Sequence, residues 1–268
     1  MQKINFWKMS GAGNDFVLLT GGRYGQAALK KLAVRLCARA QAIGADGLLY
    51  VNKSGARAIR LRYFNSDGSE AFCGNGSRCG AWWAWSGGLM KERSFLVESA
   101  AGPLPVKIIS RQSVKMRMPD VRAVSLSHRG VWSKPVETVH FLDTGVPHAV
   151  IPVTNLAALD VCGLGRLLRS HKAFGPAGTN VDFVSLERGV IKVRTYERGV
   201  EAETLACGTG IAASAVALGL AQGVSSPVAL LARSGEKFKV WYRRKGSGAS
   251  DIYVQGPAKT VFSGQIEI

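Results

Sequence analysis

The tetrapeptide Cys-Gly-x-Gly occurs twice, as Cys73-Gly74-Asn75-Gly76 and Cys207-Gly208-Thr209-Gly210, and the copies lie half of the 268-residue chain apart. A motif repeated at that interval constrains the fold more than composition does, because it asks for two copies of one supersecondary plan. Each copy follows an acid-rich loop (67–72 and 199–206) and precedes small and apolar residues that read as a helix. Two further landmarks keep the same order and nearly the same spacing. Asp46 stands 27 residues before Cys73, and Asp182 stands 25 before Cys207. Gly13 precedes the first cysteine by 60 residues, and Val146 precedes the second by 61. These matches predict an α/β (α+β) fold of two pseudo-symmetric domains. Each is a curved, mostly antiparallel sheet wrapped around a central helix, and the cysteines are expected to meet across an interdomain cleft.

The rest of the chain fills in that plan. Alternating apolar residues predict strands at 4–8, 15–20, 48–51 and 57–64, and an apolar face spaced for a helix runs over 27–39. In the second half, strands are expected at 136–142, 147–153, 183–186 and 190–196, and a helix at 164–171. Pro119-Asp120 marks the expected boundary. The halves are then 1–118, completed by the C-terminal strand at about 263–268, and 119–262.

Charge and cysteine usage narrow the function class. A net charge of +17 raises nucleic acid as a partner. However, Arg60 and Arg62 alternate with Ile59, Leu61 and Tyr63, and Lys192 and Arg194 alternate with Ile191 and Val193. That is the outer face of half-buried strands, so no nucleic-acid partner is expected. Salt-dependent retention on DNA would reverse that expectation. Lys3 and Lys8 interrupt the N-terminal apolar residues, and the longest apolar run, 211–221, is too short to span a bilayer. A cytoplasmic protein with no membrane partner is expected. The five cysteines (37, 73, 79, 162 and 207) include no Cys-x-x-Cys pair, so neither a disulfide framework nor a metal site is expected.

A thiol at a helix start can be drawn toward thiolate by the free backbone N–H groups there. The glycines beside each cysteine let those amides approach a bound carboxylate. Two such loops could hold an amino acid by its α-carboxylate with one sulfur on each face of Cα. One thiolate would remove the α-proton while the other thiol returned one, inverting the centre without a cofactor. Thiols that close would also be sensitive to oxidation. Of the histidines, His148 falls where the second half mirrors the Gly-Asn turn, so a site role is expected for it. Glu197 and Arg198 end a strand shortly before Cys207, and Arg198 is suited to gripping a carboxylate with two parallel hydrogen bonds. The rival reading of Gly208-Thr209-Gly210-Ile211-Ala212-Ala213 as a dinucleotide-binding turn lacks the apolar parallel strand that should precede it. A cysteine-hydrolase reading leaves the duplication unexplained.

Six stretches resemble the diaminopimelate epimerase family: KMSGAGNDFVLL (8–19), GADGLL (44–49), YFNSDGSEAFCGNGSRC (63–79), DTGVPHAV (143–150), GTNVDFV (178–184) and RTYERGVEAETLACGTG (194–210). The resemblance implies a cofactor-independent enzyme that interconverts LL- and meso-2,6-diaminopimelate in lysine and peptidoglycan synthesis. It implies Cys73 and Cys207 as the acid/base pair, with His148 and Glu197 assisting catalysis. It further implies that Gly74, Asn75, Gly208 and Thr209 hold the reacting carboxylate, and that Asn14, Asn65, Asn180, Glu197 and Arg198 bind substrate. A small amino acid is the expected partner, no cofactor is expected, and a homodimer is compatible with the sequence. Val146 and Gly47 stand where some family members carry Asn and Gln.

Overall fold

Residues 3–132, 134 and 136–267 are described in the computed structural model of the chain. They divide into two compact units, Met1–Met116 with Gly256–Ile268, and Arg117–Gln255. Among the described residues, no helix is long and apolar enough to cross a membrane.

The first unit opens with a hairpin. Strand Lys3–Gly11 runs antiparallel to Asn14–Thr20, and the turn between them holds Ala12 at φ 62° and Gly13 at φ 94°. Two left-handed residues give the turn whose twist suits a tight hairpin, and glycine adopts that backbone without a Cβ clash. Helix α1 (Gln26–Cys37) then carries the chain to strand Gly47–Gly55, which lies parallel to Asn14–Thr20. A parallel return needs such a crossover. Strand Ala58–Asn65 pairs antiparallel with Gly47–Gly55, and helix α2 (Gly74–Ser86) leads from it to the parallel strand Ser94–Ser99. Strands Gly102–Ser110 and Ser113–Arg117 follow, and Lys259–Glu267 closes against Lys3–Gly11.

Phe16, Val17, Leu18 and Leu19 are all fully buried, as a strand covered on both faces requires. Val17, Leu19, Leu48 and Tyr50 pack on Leu29, Leu32, Ala33 and Leu36 of α1. The alternate residues meet α2, where Gly76 lies against Phe16 and Leu49, and Gly80 against Val51 and Leu61. Each apolar side chain so removed from water contributes roughly 1.5–3 kcal/mol. Helix α1 keeps a solvent face, with Val34 half exposed, whereas α2 is buried along most of its length.

The second unit repeats the arrangement. Strand His140–Asp143 pairs antiparallel with Pro147–Pro152, and Asn180–Glu187 lies parallel to the latter after helix α3 (Val161–Arg169). Val190–Glu197 pairs antiparallel with Asn180–Glu187, and helix α4 (Gly208–Gln222) leads to the parallel strand Val228–Ala232. Ala149, Ile151, Val181, Phe183 and Tyr196 pack with Val161 and Leu168 of α3. The alternate positions His148, Val150, Asp182 and Thr195 therefore point to the face that α4 covers. Gly210 of α4 lies directly on Asp182. The mixed α/β plan with a deep helix in each half agrees with expectation. Some boundaries do not. The strand expected at 136–142 is strand only over His140–Asp143, and the helix expected at 164–171 spans Val161–Arg169. The short strand Arg122–Ser125, which pairs with His140–Asp143, was not expected.

Two buried thiols outside the repeated tetrapeptides add to the pH dependence of stability. Burial pushes Cys37 and Cys79 up to about 12. A group whose pKa is raised by folding contributes fully below its unfolded value and loses that contribution as pH rises toward the folded one. Unfolding free energy from urea melts should therefore decline from about pH 8.5, the ordinary thiol value, upward. Cys79→Ala should flatten part of that decline. Level stability from about pH 8.5 to 11 in the parent protein would contradict the burial of these thiols.

Candidate active site

In each unit the cysteine of the tetrapeptide is the N-cap of the deep helix. Cys73 caps α2 with extended backbone (φ −136°, ψ 114°), and its sulfur accepts the Gly76 amide at 3.4 Å. The same thiol lies 3.7 Å from Asn14 Oδ1, to which it donates. The sulfur thus has an acceptor for its proton as a thiol and an amide dipole for its charge as a thiolate. Asn14 is oriented from behind, since its Nδ2 donates to Asp46 Oδ2 at 2.6 Å. Asp46 and Asp15 share Arg39, and Lys8 pairs with Asp15 at 2.7 Å. Burial works to raise Asp15, but hydrogen bonds from Arg39 and Lys8 outweigh it and hold the carboxyl below the usual range.

The Gly74-Asn75 peptide is fixed from inside the unit by Arg78, a fully buried guanidinium. It donates to Asn75 Oδ1 at 2.5 Å and to the Gly74 carbonyl at 3.5 Å. Asn65 stands opposite Gly47 in the sheet, accepting the Tyr63 hydroxyl at 2.7 Å and donating to Ser69 Oγ at 2.9 Å. The Tyr63 ring fills the space that any side chain at position 47 would need.

Cys207 caps α4 in the same extended conformation (φ −110°, ψ 113°), with its sulfur 3.3 Å from Thr209 Oγ1. Its surroundings settle its proton differently from a helix start alone. Burial drives the Cys207 thiol well above the ordinary thiol value, and the charges of Glu197 and Asp182 add to that, against weaker help from Thr209 and the Gly210 amide. The helix start therefore does not draw this thiol down, and Cys207 holds its proton at neutral pH. Next to this loop, Thr144 Oγ1 donates to the Thr209 carbonyl at 3.3 Å. His148 and Asp182 are fully buried, 2.6 Å apart from Nδ1 to Oδ2, and Thr195 donates to Asp182 Oδ1 at 2.7 Å.

Asn180 donates to the Pro147 carbonyl at 3.1 Å and accepts the Arg198 amide at 2.9 Å. The Arg198 guanidinium donates to the carbonyls of Ala177 and Gly178 at 3.2 and 3.4 Å, so backbone oxygens are its partners in this structure. Glu197 ends its strand opposite Ala202. The short strand Ala202–Thr204 just before the tetrapeptide is antiparallel to its neighbour, which removes the dinucleotide-binding alternative.

The structure thus gathers Asn14, Gly74 and Asn75 around Cys73, and Glu197, Asp182 and Thr209 around Cys207, with His148 held on Asp182. Asp46, Asp182 and Arg78 also take part, although the sequence reading assigned them no role. Asp46 and Asp182 were visible as matched landmarks of the repeat, and Arg78 as a lone charge in a stretch of small residues. Among the described residues, no three His, Cys, Asp or Glu side chains converge as a metal site.

The family model for diaminopimelate epimerase matches residues 6–124 and 140–261. A diaminopimelate epimerase of Chlorobaculum tepidum is 37% identical over 266 residues, covering 97% of this chain and 100% of that protein. The chain belongs to the diaminopimelate epimerase family. Among solved structures, it is similar in fold to a phenazine biosynthesis protein of the PhzF family from Bacillus anthracis, with TM-score 0.77, 18% identity and full coverage of both chains. It is also similar to a probable proline racemase from Agrobacterium radiobacter, with TM-score 0.72, 17% identity and coverage of 99% and 93%. Membership spans both halves of the molecule, so both capping cysteines lie within the family's matched regions.

The thiols of this epimerase-family chain differ in access. Cys73 is half-buried and Cys207 is 6% exposed and protonated. Iodoacetamide reacts with exposed thiolate. Peptide mass spectrometry after brief labelling at neutral pH should find Cys73 modified at least about 10-fold faster than Cys207. Equal rates would contradict the burial of Cys207.

Proposed function

We propose that the protein epimerises LL-2,6-diaminopimelate to the meso form by a two-thiol mechanism that needs no cofactor. The observation carrying this reading is that both Cys-Gly-x-Gly cysteines cap the deep helices of two similarly built units. The backbone amides that open α2 and α4, at Gly74-Asn75 and Gly208-Thr209, receive the α-carboxylate and the charge that develops on it as the α-proton leaves. Asn14, Asn65, Asn180 and Arg198 orient the rest of the molecule. Cys207 starts as the proton donor, since it is held protonated. Cys73 as thiolate takes the α-hydrogen from one face while Cys207 delivers its proton to the other. The reverse reaction exchanges these roles, as microscopic reversibility demands. Glu197 assists beside Cys207, and His148 assists from its place on Asp182.

Product stereochemistry tests the reading. Reduced enzyme given LL-diaminopimelate should produce the meso isomer on chiral chromatography, and L-proline should be returned unchanged. Racemised proline with untouched diaminopimelate would replace the proposal with a proline racemase-like activity, and inertness toward both would end it.

A further inference from the structure

The second unit contains a buried polar arrangement around His148 in which Asp182 and Thr195 have no part in the two-thiol proton transfer. His148 Nδ1 is 2.6 Å from Asp182 Oδ2, and both side chains are wholly inaccessible to solvent. The other carboxylate oxygen of Asp182 accepts from Thr195 Oγ1 at 2.7 Å. The sheet register explains why the three meet. Thr195 is the direct neighbour of Asp182 in the antiparallel pair, and His148 lies on the parallel neighbour strand, opposite Asn180. All three point to the face covered by α4, whose Gly210 leaves no room for a Cβ against Asp182 Oδ1. The carboxylate is thus clamped between a hydroxyl, an imidazole and the first turn of the helix that Cys207 caps. The remaining ring nitrogen, His148 Nε2, is buried and has no hydrogen-bond partner among the described residues. An orphaned buried acceptor or donor costs roughly 1–3 kcal/mol, so such an atom calls for an explanation.

We infer that Asp182 is a positioning residue that holds the Nδ1–H tautomer of His148, keeping Nε2 as a bare acceptor for a donor group of the amino-acid ligand. The inference rests on the proposed function. A carboxylate oxygen at hydrogen-bond distance from Nδ1 accepts and cannot donate, so a ring proton belongs on Nδ1, and in the neutral ring the lone pair is then on Nε2. Thr195 keeps Oδ1 engaged, which prevents the carboxylate from swinging away. An amino acid has one cationic donor at the reacting centre, its α-ammonium. A buried imidazole lone pair beside the Cys207 loop is complementary to that group and repels a carboxylate there. Asp182 touches neither substrate nor thiol in this role. It acts through His148.

Histidine nitrogen resonances and kinetics test this together. In the ¹⁵N-histidine-labelled full chain without ligand, His148 should show a protonated Nδ1 and an unprotonated Nε2 at neutral pH. Asp182→Ala should shift the ring toward the Nε2–H tautomer, and kcat/KM for LL-diaminopimelate should fall about 100-fold. The proposal is overturned if His148 of the parent protein carries its proton on Nε2 or on both nitrogens. It is equally overturned if folded Asp182→Ala retains kcat/KM within about 3-fold. If the variant does not fold, the tautomer of the parent protein decides. That measurement also decides if the parent protein proves inert toward diaminopimelate, because it uses no substrate.

Discussion

Alanine at Cys73 or at Cys207 should lower kcat for LL-diaminopimelate by about 10⁴-fold, with KM changed far less. Alanine cannot carry a proton, and each direction of a two-base inversion needs both a base and an acid. Loss of either thiol should therefore stop both directions rather than one. Folding should survive, since each residue occupies a cap position. The Cys73 sulfur makes one 3.4 Å amide contact, and a weak cap of this kind is worth about 1 kcal/mol or less. Circular dichroism melts and steady-state kinetics in both directions check this. A variant within about 10-fold of the parent in either direction would show that its thiol is not an obligatory proton carrier.

Gly210→Ala should destabilise the second unit by about 1–3 kcal/mol and reduce kcat/KM by at least about 100-fold. The added methyl would overlap Asp182 Oδ1, and neither partner can retreat. Asp182 is held by Thr195 at 2.7 Å and His148 at 2.6 Å, and α4 is buried along nearly its whole length. Interiors are close-packed, so the overlap has to be relieved by moving the start of the helix. That movement displaces Cys207 and the Gly208-Thr209 amides, which explains why an activity loss should accompany the stability loss. Urea unfolding and kinetics on one preparation separate the two effects. A variant as stable and active as the parent would mean that Asp182 does not sit against Gly210.

The repeated tetrapeptide made both deep helices and both capping thiols legible, because glycine beside cysteine before an apolar run has few other uses. Apolar content was less reliable about pairing. Val136 and Val139 are buried among Leu156 and Phe174 without belonging to a strand, so the run 136–142 reported burial rather than a ladder. The α3 boundary moved for a local reason: Asp160 accepts the Gly163 amide at 2.9 Å and starts the helix early, while His171 already caps a separate turn at Lys172–Phe174.

The site property that the sequence left open was which thiol carries the proton. A helix start favours a thiolate by about 0.3–1 kcal/mol, rarely 2. Full burial can move a pKa by up to 3–5 units at about 1.4 kcal/mol each. Burial wins, and only the folded structure reveals that Cys207 is enclosed while Cys73 is half open. Asp182 and Arg78 went unassigned because a single charge within a strand or helix gives no hint from sequence alone of the face it occupies.

The most direct test of the two-thiol account is the source of the hydrogen in the product. Reduced enzyme should be given LL-diaminopimelate in D₂O and sampled early, with deuterium located by NMR and mass spectrometry. A separate acid and base predict that newly formed meso product carries solvent deuterium at the inverted α-carbon, while recovered LL substrate stays essentially unlabelled. Substrate hydrogen retained at the inverted carbon of the product would mean that one group removes and returns the same proton, and would contradict the account.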